Sequence, residues 1–481
     1  MEVRNKRLSN DEFFREREEV LAQWPTGEEV DLDEAIEFHK SLPPGKVLAK
    51  KLLDAKQKGE TYAITGMGKT TLEQQIELLK YVQDEGQADI LGTSVDSLSR
   101  VLNFEAAEQG LKESLRTGKS LLNGLPVVNH GVAGIRKLIE SVDLPVQMRY
   151  GAMDIRLIDE IGLAGGHTGT SGEALYNFWN MNSKLPLETI LRSHQYVHRL
   201  VGYYEEKGAP ILLSCQGLYG GGATPPSLVM AALLTGVLMM AEQGAKHILI
   251  KHQVIGNLVQ DVASANTLRK LAQEYLNKSG HQDVETVLSA GLCLVKYPVE
   301  LGPAFALICI NSIIAKLCEA QLNDMRTVSE AVTIPTKEDI ATSFRCAKVV
   351  IDLLKGQKIE VNSKAVEVEA GMAELETRAI LDRVIDLGDG DVAVGTIRAV
   401  ESGVLDNPFG TSPSVACKVM GVKDSEGAVR YLNHGNLPFT NEILEFHKEK
   451  IAERERKRGR EVDYETVVSD LLAISKGLLV E

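Results

Sequence analysis

Residues 211–251 read ILLSCQGLYGGGATPPSLVMAALLTGVLMMAEQGAKHILIK. Ile211–Cys215 is an apolar run of strand length. Gln216 to Pro226 follows as a loop, rich in glycine with two prolines, both breakers of regular structure. Leu228–Gln243 is then a helical pattern, apolar to Ala241 apart from Thr235 and Gly236, and long enough for about four turns. His247–Lys251 is a second strand-length run. A strand, a long helical crossover and a strand make a parallel pair. The same rhythm extends outward. Upstream stand Tyr62–Thr65, Asp89–Ser94, Pro126–Asn129 and Val146–Tyr150, with helical patterns at Leu72–Glu85 and Phe104–Thr117. Thr286–Ala290 and Met325–Val328 stand downstream. These units predict an α/β protein built on a (β/α)8 TIM barrel, a fold of typically ~250 residues. Leu157–Gly165 is an ambiguous extra element. No GxGxxG follows the first strand, which disfavours a dinucleotide-binding fold.

The barrel is expected over residues 56–354. Residues 1–55 read as an N-terminal helical arm, and 355–481 as a C-terminal α+β extension packed on the barrel. That extension holds a helical stretch at Val366–Leu387, a turn-rich segment at Gly410–Pro438 and a charged helix, Glu442–Arg460, read as a solvated face.

Of the 481 residues, 53 are Lys or Arg and 67 are Asp or Glu, a formal net charge of −14. That balance disfavours a nucleic-acid or anionic-membrane surface, which needs clustered cations. No apolar stretch reaches the ~20 residues of a membrane span, and the first twenty residues carry no signal-peptide core. Six cysteines without a CxxC pair predict a reduced, cytoplasmic protein.

Several motifs fail on inspection. Gly68-Lys69-Thr70 lacks the upstream glycine of a phosphate-binding loop, since Ala63 stands there. His194 and His198 have the helical spacing of zinc ligands, but Gln195 occupies the place of the glutamate base. Surface or satisfied histidines are the expectation, and no metal set stands out. Cys215 is expected to be a packing residue.

In a barrel of this kind chemistry sits on the loops after the strands. Arg100 and Arg149 fall there. A guanidinium fork binds carboxylate in bidentate fashion, and equally it can close an internal salt bridge to a barrel carboxylate. Pattern alone leaves the two readings even.

A further set of segments carries a family likeness: Glu18-Glu-Val-Leu-Ala-Gln-Trp-Pro-Thr-Gly27, Ser120-Leu-Leu-Asn-Gly124, Arg199-Leu-Val-Gly202, Ala241-Glu-Gln-Gly244, Ile334-Pro-Thr-Lys337, Gly390-Asp391, Gly395-Thr396, Pro408-Phe-Gly410, Arg430-Tyr-Leu432 and Asn436-Leu-Pro-Phe-Thr440. They are colinear over nearly the whole chain. In them the protein resembles the epsilon subunit family of glutamate (methylaspartate) mutase, an isomerase. The resemblance implies an adenosylcobalamin enzyme whose barrel mouth faces the corrin ring. It implies a radical rearrangement of L-glutamate to 3-methylaspartate by fragmentation and recombination. The cobalamin is then carried by a separate small (sigma) subunit, since no DxHxxG motif occurs here. A homodimer of this chain within a heterotetramer is implied as well.

Residue by residue, the resemblance places Arg100 and Arg149 on substrate carboxylate, while the third arginine of that grip is Gly66, with Lys69 on the same loop. The family's ammonium-facing glutamate falls on Ser171, with Glu173 two residues on. Tyr150 replaces a histidine, and Tyr176-Asn177 are a Tyr–Asn pair offset by one. Gly68, Asn123, Glu330 and Ile334 match cofactor contacts, and Arg326 replaces a lysine near the adenosyl ribose. Cofactor-side positions are thus better kept than substrate-side ones. The resemblance therefore leaves three readings: the glutamate enzyme with a rearranged grip, a related mutase for another small acid, or a noncatalytic paralogue that keeps the assembly surface.

Overall fold

The computed structural model describes residues 3–181, 185–217, 221–357 and 359–481. Eight parallel strands form the predicted barrel: β1 (Tyr62–Ile64), β2 (Leu91–Ser94), β3 (Val146–Arg149), β4 (Gly169–Ser171), β5 (Leu212–Cys215), β6 (His247–Val254), β7 (Glu285–Leu292) and β8 (Leu322–Asp324). β1 pairs with β8, and each other strand pairs with its sequence neighbour except across β1 and β2. That seam closes just past β1, where the Met67 N–H donates to Gly92 O at 3.1 Å and the Ser94 N–H to Met67 O at 2.8 Å.

Side chains alternate along each strand, so inward positions recur every second residue. At the amino end of the barrel the inward residues are Ile64, Ile90, Leu212, Leu249, Val287 and Leu322, all buried. The helix Leu48–Lys58 seals this floor by placing Leu48, Ala49 and Leu52 against them. One inward step further along, the residues turn polar: Ser214, Lys251, Ser289 and Asp324.

The structure moves four expected elements. Pro126–Asn129 is no strand: Val127 starts the helix Val127–Glu140, because a short apolar run cannot by itself tell a buried helix from a strand. Leu157–Gly165 is the body of the helix Arg156–Ala164. The missing strand is β4, within the segment read as a Gly-rich loop. Gly169 sits so close to the floor that a Cβ there would approach Leu48 Cδ2 to 2.7 Å. The last strand lies three residues before Met325–Val328, and its centre is polar: Asn311 on the outer helix donates to Asn323 Oδ1 at 2.5 Å. Of the expected loop Gln216 to Pro226, residues 218–220 lie outside the described residues.

The N-terminal helices pack into the main core through Phe13 and Val20, both fully buried. Phe13 meets Tyr196 with ring centroids 5.2 Å apart. In the C-terminal segment, β9 (Met420–Lys423) and β10 (Val429–Asn433) form an antiparallel pair. The pair itself touches the barrel, the Val429 N–H donating to Gln260 Oε1 at 2.7 Å, and beside it the helix Ser363–Leu387 packs on the barrel helices Pro226–Glu242 and Leu258–Lys278. Its buried Glu376 accepts from Ser227 of the barrel at 2.5 Å and bonds His447 at 2.9 Å. The helix Asn441–Arg458 is therefore not a fully solvated face. His447 and Arg454 are buried, and Arg454 makes a two-pronged bond to Asp470 at 2.6 and 2.8 Å. No helix among the described residues is long and apolar enough to cross a membrane.

Candidate active site

The carboxyl ends of the strands open onto a charged mouth. Arg149, at the end of β3, reaches across the barrel. Its NH2 donates to Asp324 Oδ1 at 2.7 Å and its NH1 to Gln147 Oε1 at 3.2 Å. Lys251, from β6, meets the other oxygen of the same carboxylate at 2.6 Å. Burial alone raises the pKa of Asp324, but Arg149, Lys251 and Arg326 outweigh it and hold the group well below the usual carboxylate range. Asp324 is thus ionised, and the cluster of two cations and one anion keeps one positive charge.

Arg100 behaves differently. It lies on the loop after β2, and its Nε is buried with no hydrogen-bond partner among the described residues. Burial lowers its pKa from the ordinary arginine value, against the pull of Asp96 and Tyr176. Of the two even readings for the mouth arginines, the internal salt bridge holds for Arg149, and Arg100 forms none among the described residues.

Glu173 is buried at the start of the helix Ala174–Asn180. Burial pushes its carboxyl up to about 8, against the pull of its own and the Gly172 backbone N–H, Lys251 and Arg149. Such a carboxyl is protonated near neutral pH and has a proton to donate. Ser171 and Lys69 are half-buried and make no side-chain hydrogen bond among the described residues, and Gly66 contributes only backbone beside Ser94 and Arg149.

Two expected substrate-facing residues turn away from the mouth. The Tyr150 hydroxyl donates to Asp159 Oδ2 at 2.6 Å, behind β3. Asp159 is buried, also accepts from Thr170 at 2.5 Å, and is raised to about 7 by that burial. Asn177 is buried and donates to His194 Nε2 at 3.0 Å. His194 in turn donates through Nδ1 to Ile190 O, and His198 bonds Gly172 O at 2.9 Å. Both histidines are buried; His194 is satisfied at both nitrogens, whereas His198 Nδ1 has no partner among the described residues. Among the described residues no group of three or more His, Cys, Asp or Glu could hold a metal ion. Cys215 is buried and donates only to Leu233 O.

Around the mouth the loops are different in kind. Val101 and Leu121 are exposed on the loops after β2, Val295 and Val299 after β7, and Val332 and Ile334 after β8. Together these side chains give the mouth an apolar rim. Within it Gly68 is packed so tightly that a Cβ would come within 2.6 Å of Gly124 Cα and 2.9 Å of Ser94 O, so only flat backbone is presented there. Next to it Asn123 is exposed, its Oδ1 accepting from the Ser97 N–H at 2.9 Å. Arg326 and Glu330 pair at 3.2 Å beside a small pocket lined by Tyr297, Pro298 and Ile308. Sequence reading missed Lys251, Asp324 and Gln147. Only inward alternation from Leu249 and Leu322 could have flagged the first two.

The family described as "Methylaspartate mutase E chain (MutE)" matches residues 42–481. The chain belongs to that family. The glutamate mutase epsilon subunit of Desulfitobacterium hafniense is 41% identical over 100% of this chain and 99% of its own length. That of Treponema denticola is 39% identical over 100% and 99%. The Haloarcula marismortui subunit is 36% identical over 99% and 96%. For a methylaspartate mutase E chain, the mouth just described is the face on which chemistry is expected.

Proposed function

We propose that the chain is the barrel subunit of an adenosylcobalamin-dependent carbon-skeleton mutase, with L-glutamate and 3-methylaspartate as the nominal pair. The reading rests on the family match and on one feature of the mouth. Cationic groups converge inside an apolar rim, with the Arg100 Nε unpartnered among the described residues. The relatives are named as epsilon subunits, which supports a separate small cobalamin-carrying partner. We assign this chain to a homodimer within that assembly, working in the cytoplasm.

The residues present fit such a cofactor. The flat backbone at Gly68, with Asn123 beside it and Ile334 on the rim, suits a broad, largely apolar ring. Arg326 and Glu330 offer a donor and an acceptor to sugar hydroxyls. When bound, the cofactor supplies the radical that removes a substrate hydrogen. The protein's own work is to bind, orient and exclude water. Arg100 takes a carboxylate with its uncommitted fork, and Tyr176 stands next to it. Arg149 is held rigid by Asp324 and Gln147, with its Nε edge toward Gly66. Protonated Glu173 donates to a substrate oxygen. Ser171 offers a neutral hydroxyl.

The test is to combine the chain with its small subunit and adenosylcobalamin, add L-glutamate, and follow cob(II)alamin by electron paramagnetic resonance. A substrate-dependent signal is expected. A second reading, a mutase for a different small acid, is favoured by the uncharged Gly66 and Ser171. A signal with another acid and none with glutamate selects it. Silence with every small acid overturns both.

A further inference from the structure

The wall made by β6, β7 and β8 carries donors that no role above uses. Leu249 belongs to the apolar floor, so Lys251 and Gln253, two and four residues on, also point inward. Across the ladder Lys251 is level with Ser289, Gln253 with Gly291, and Gly291 with Asp324. A Cβ at Gly291 would stand 3.1 Å from both Lys251 Cε and Asp324 Cβ, so glycine on the middle strand lets the pair meet across it. Asp324 then holds Lys251 on one oxygen and Arg149 on the other. The two cations come from different walls and are separated by a single carboxylate.

Neither cation is used up. An ammonium has three donors and a guanidinium five. Lys251 commits its charge to one oxygen of Asp324. Gln253 is more than nine-tenths buried, and neither its Nε2 nor its Oε1 has a protein partner among the described residues. The Ser289 hydroxyl is buried and unpartnered too. Buried polar groups left unpaired are costly, and two unpaired donors on one wall, the Gln253 amide N–H and the Ser289 hydroxyl, call for a guest that brings acceptors. A carboxylate, with two oxygens and no proton, fits.

We propose that Lys251 is a substrate-binding residue that receives one carboxylate of a small dicarboxylic acid, with Gln253 beside it as a second donor. Asp324 is the positioning residue that aims Lys251 and Arg149 at the same guest. The other carboxylate goes to Arg100. This assignment rests on the mutase reading for the size of the acid, and it names the side chain that selects two carboxylates over one.

Binding to the full chain by calorimetry tests it without turnover, using L-glutamate, glutarate and L-norvaline, the last lacking the second carboxylate. Lys251→Met should weaken L-glutamate and glutarate by about 10- to 100-fold and leave L-norvaline within about 3-fold. Lys251→Arg should restore most of the loss. In the assembled enzyme Asp324→Asn should raise KM more than it lowers kcat. If Lys251→Met is unstable, the double variant Lys251→Met/Asp324→Asn removes both charges together and should show the same loss of discrimination. A folded Lys251→Met that binds dicarboxylates like the wild type overturns the proposal, as does a wild type that cannot tell L-glutamate from L-norvaline. Lys251-dependent binding with no cob(II)alamin from any acid overturns the mutase reading instead. Turnover of L-glutamate indifferent to Lys251→Met overturns the subsite and leaves that reading standing.

Discussion

The floor and the mouth of this barrel are built by the same strands, one inward residue apart. On β6 the step is from Leu249 to Lys251, on β7 from Val287 to Ser289, on β8 from Leu322 to Asp324. That step is roughly 6–7 Å along the strand. Below it Ile64, Ile90, Leu212, Leu249, Val287 and Leu322 make an apolar layer, and the helix Leu48–Lys58 covers it. Above it charge is tolerated because each charged group either has an opposite partner or reaches the opening. The floor holds the strands in register by burial, which has no direction. The mouth uses that rigidity to aim groups whose value is directional.

The sharpest way to break this contrast is to put a mouth residue into the floor. Leu249→Asp should destabilise the protein by about 4 kcal/mol or more, because no cation lies within the sealed layer to pair with it. Denaturant unfolding measures this, and a loss under ~1 kcal/mol would mean that the floor is not dry. At the mouth Arg149→Lys keeps the charge but loses the fork that spans Asp324 and Gln147. KM should rise and kcat fall together, with kcat/KM down about 10- to 100-fold (~1.4–2.8 kcal/mol), while the melting temperature changes little. Unchanged kinetics would remove Arg149 from the site.

Glu173 sharpens the comparison through pH. Its folded pKa of about 8 lies above its ordinary value of 4.5, so the folded protein holds the proton more tightly than the unfolded chain. Stability from this group is full below 4.5 and is lost progressively as pH rises toward about 8. Glu173→Gln should therefore melt above the wild type at pH 8 and lose that advantage by pH 5. Parallel melting curves would show that the carboxyl is not held protonated. The smallest effect belongs to the rim. Ile334→Ser should leave the melting temperature unchanged and weaken small-subunit binding by about 3- to 10-fold in a titration of the two chains.

Legibility in the sequence followed the same division. Long apolar segments such as Pro226–Glu242 and the strand β5 were plain, because burial on all sides writes itself as continuous hydrophobicity. β4 was invisible: three residues, Gly169-Thr-Ser171, hold too short a pattern, and glycine was chosen by the approach of Leu48. β8 was misplaced because its buried Asn323 and Asp324 look like loop residues until their partners are known. At the site, Arg100 and Arg149 could be named from the chain alone but not told apart. Their difference lies in Asp324, 175 residues from Arg149. Tyr150 and Asn177 were placed correctly on the chain, yet their polar groups face Asp159 and His194 rather than the mouth.

Sequence by itself determined the α/β class, the repeating strand–helix order and membership in a family recognisable along the whole chain. These depend on local periodicity and on colinear segments, both of which are properties of one dimension. Tertiary structure alone decided which cations are already paired, which buried donors lack a partner, and that Lys251 and Arg149 meet on one carboxylate. Electrostatic pairing depends on distance in space, and a closed barrel brings β3, β6 and β8 together however far apart they lie along the chain.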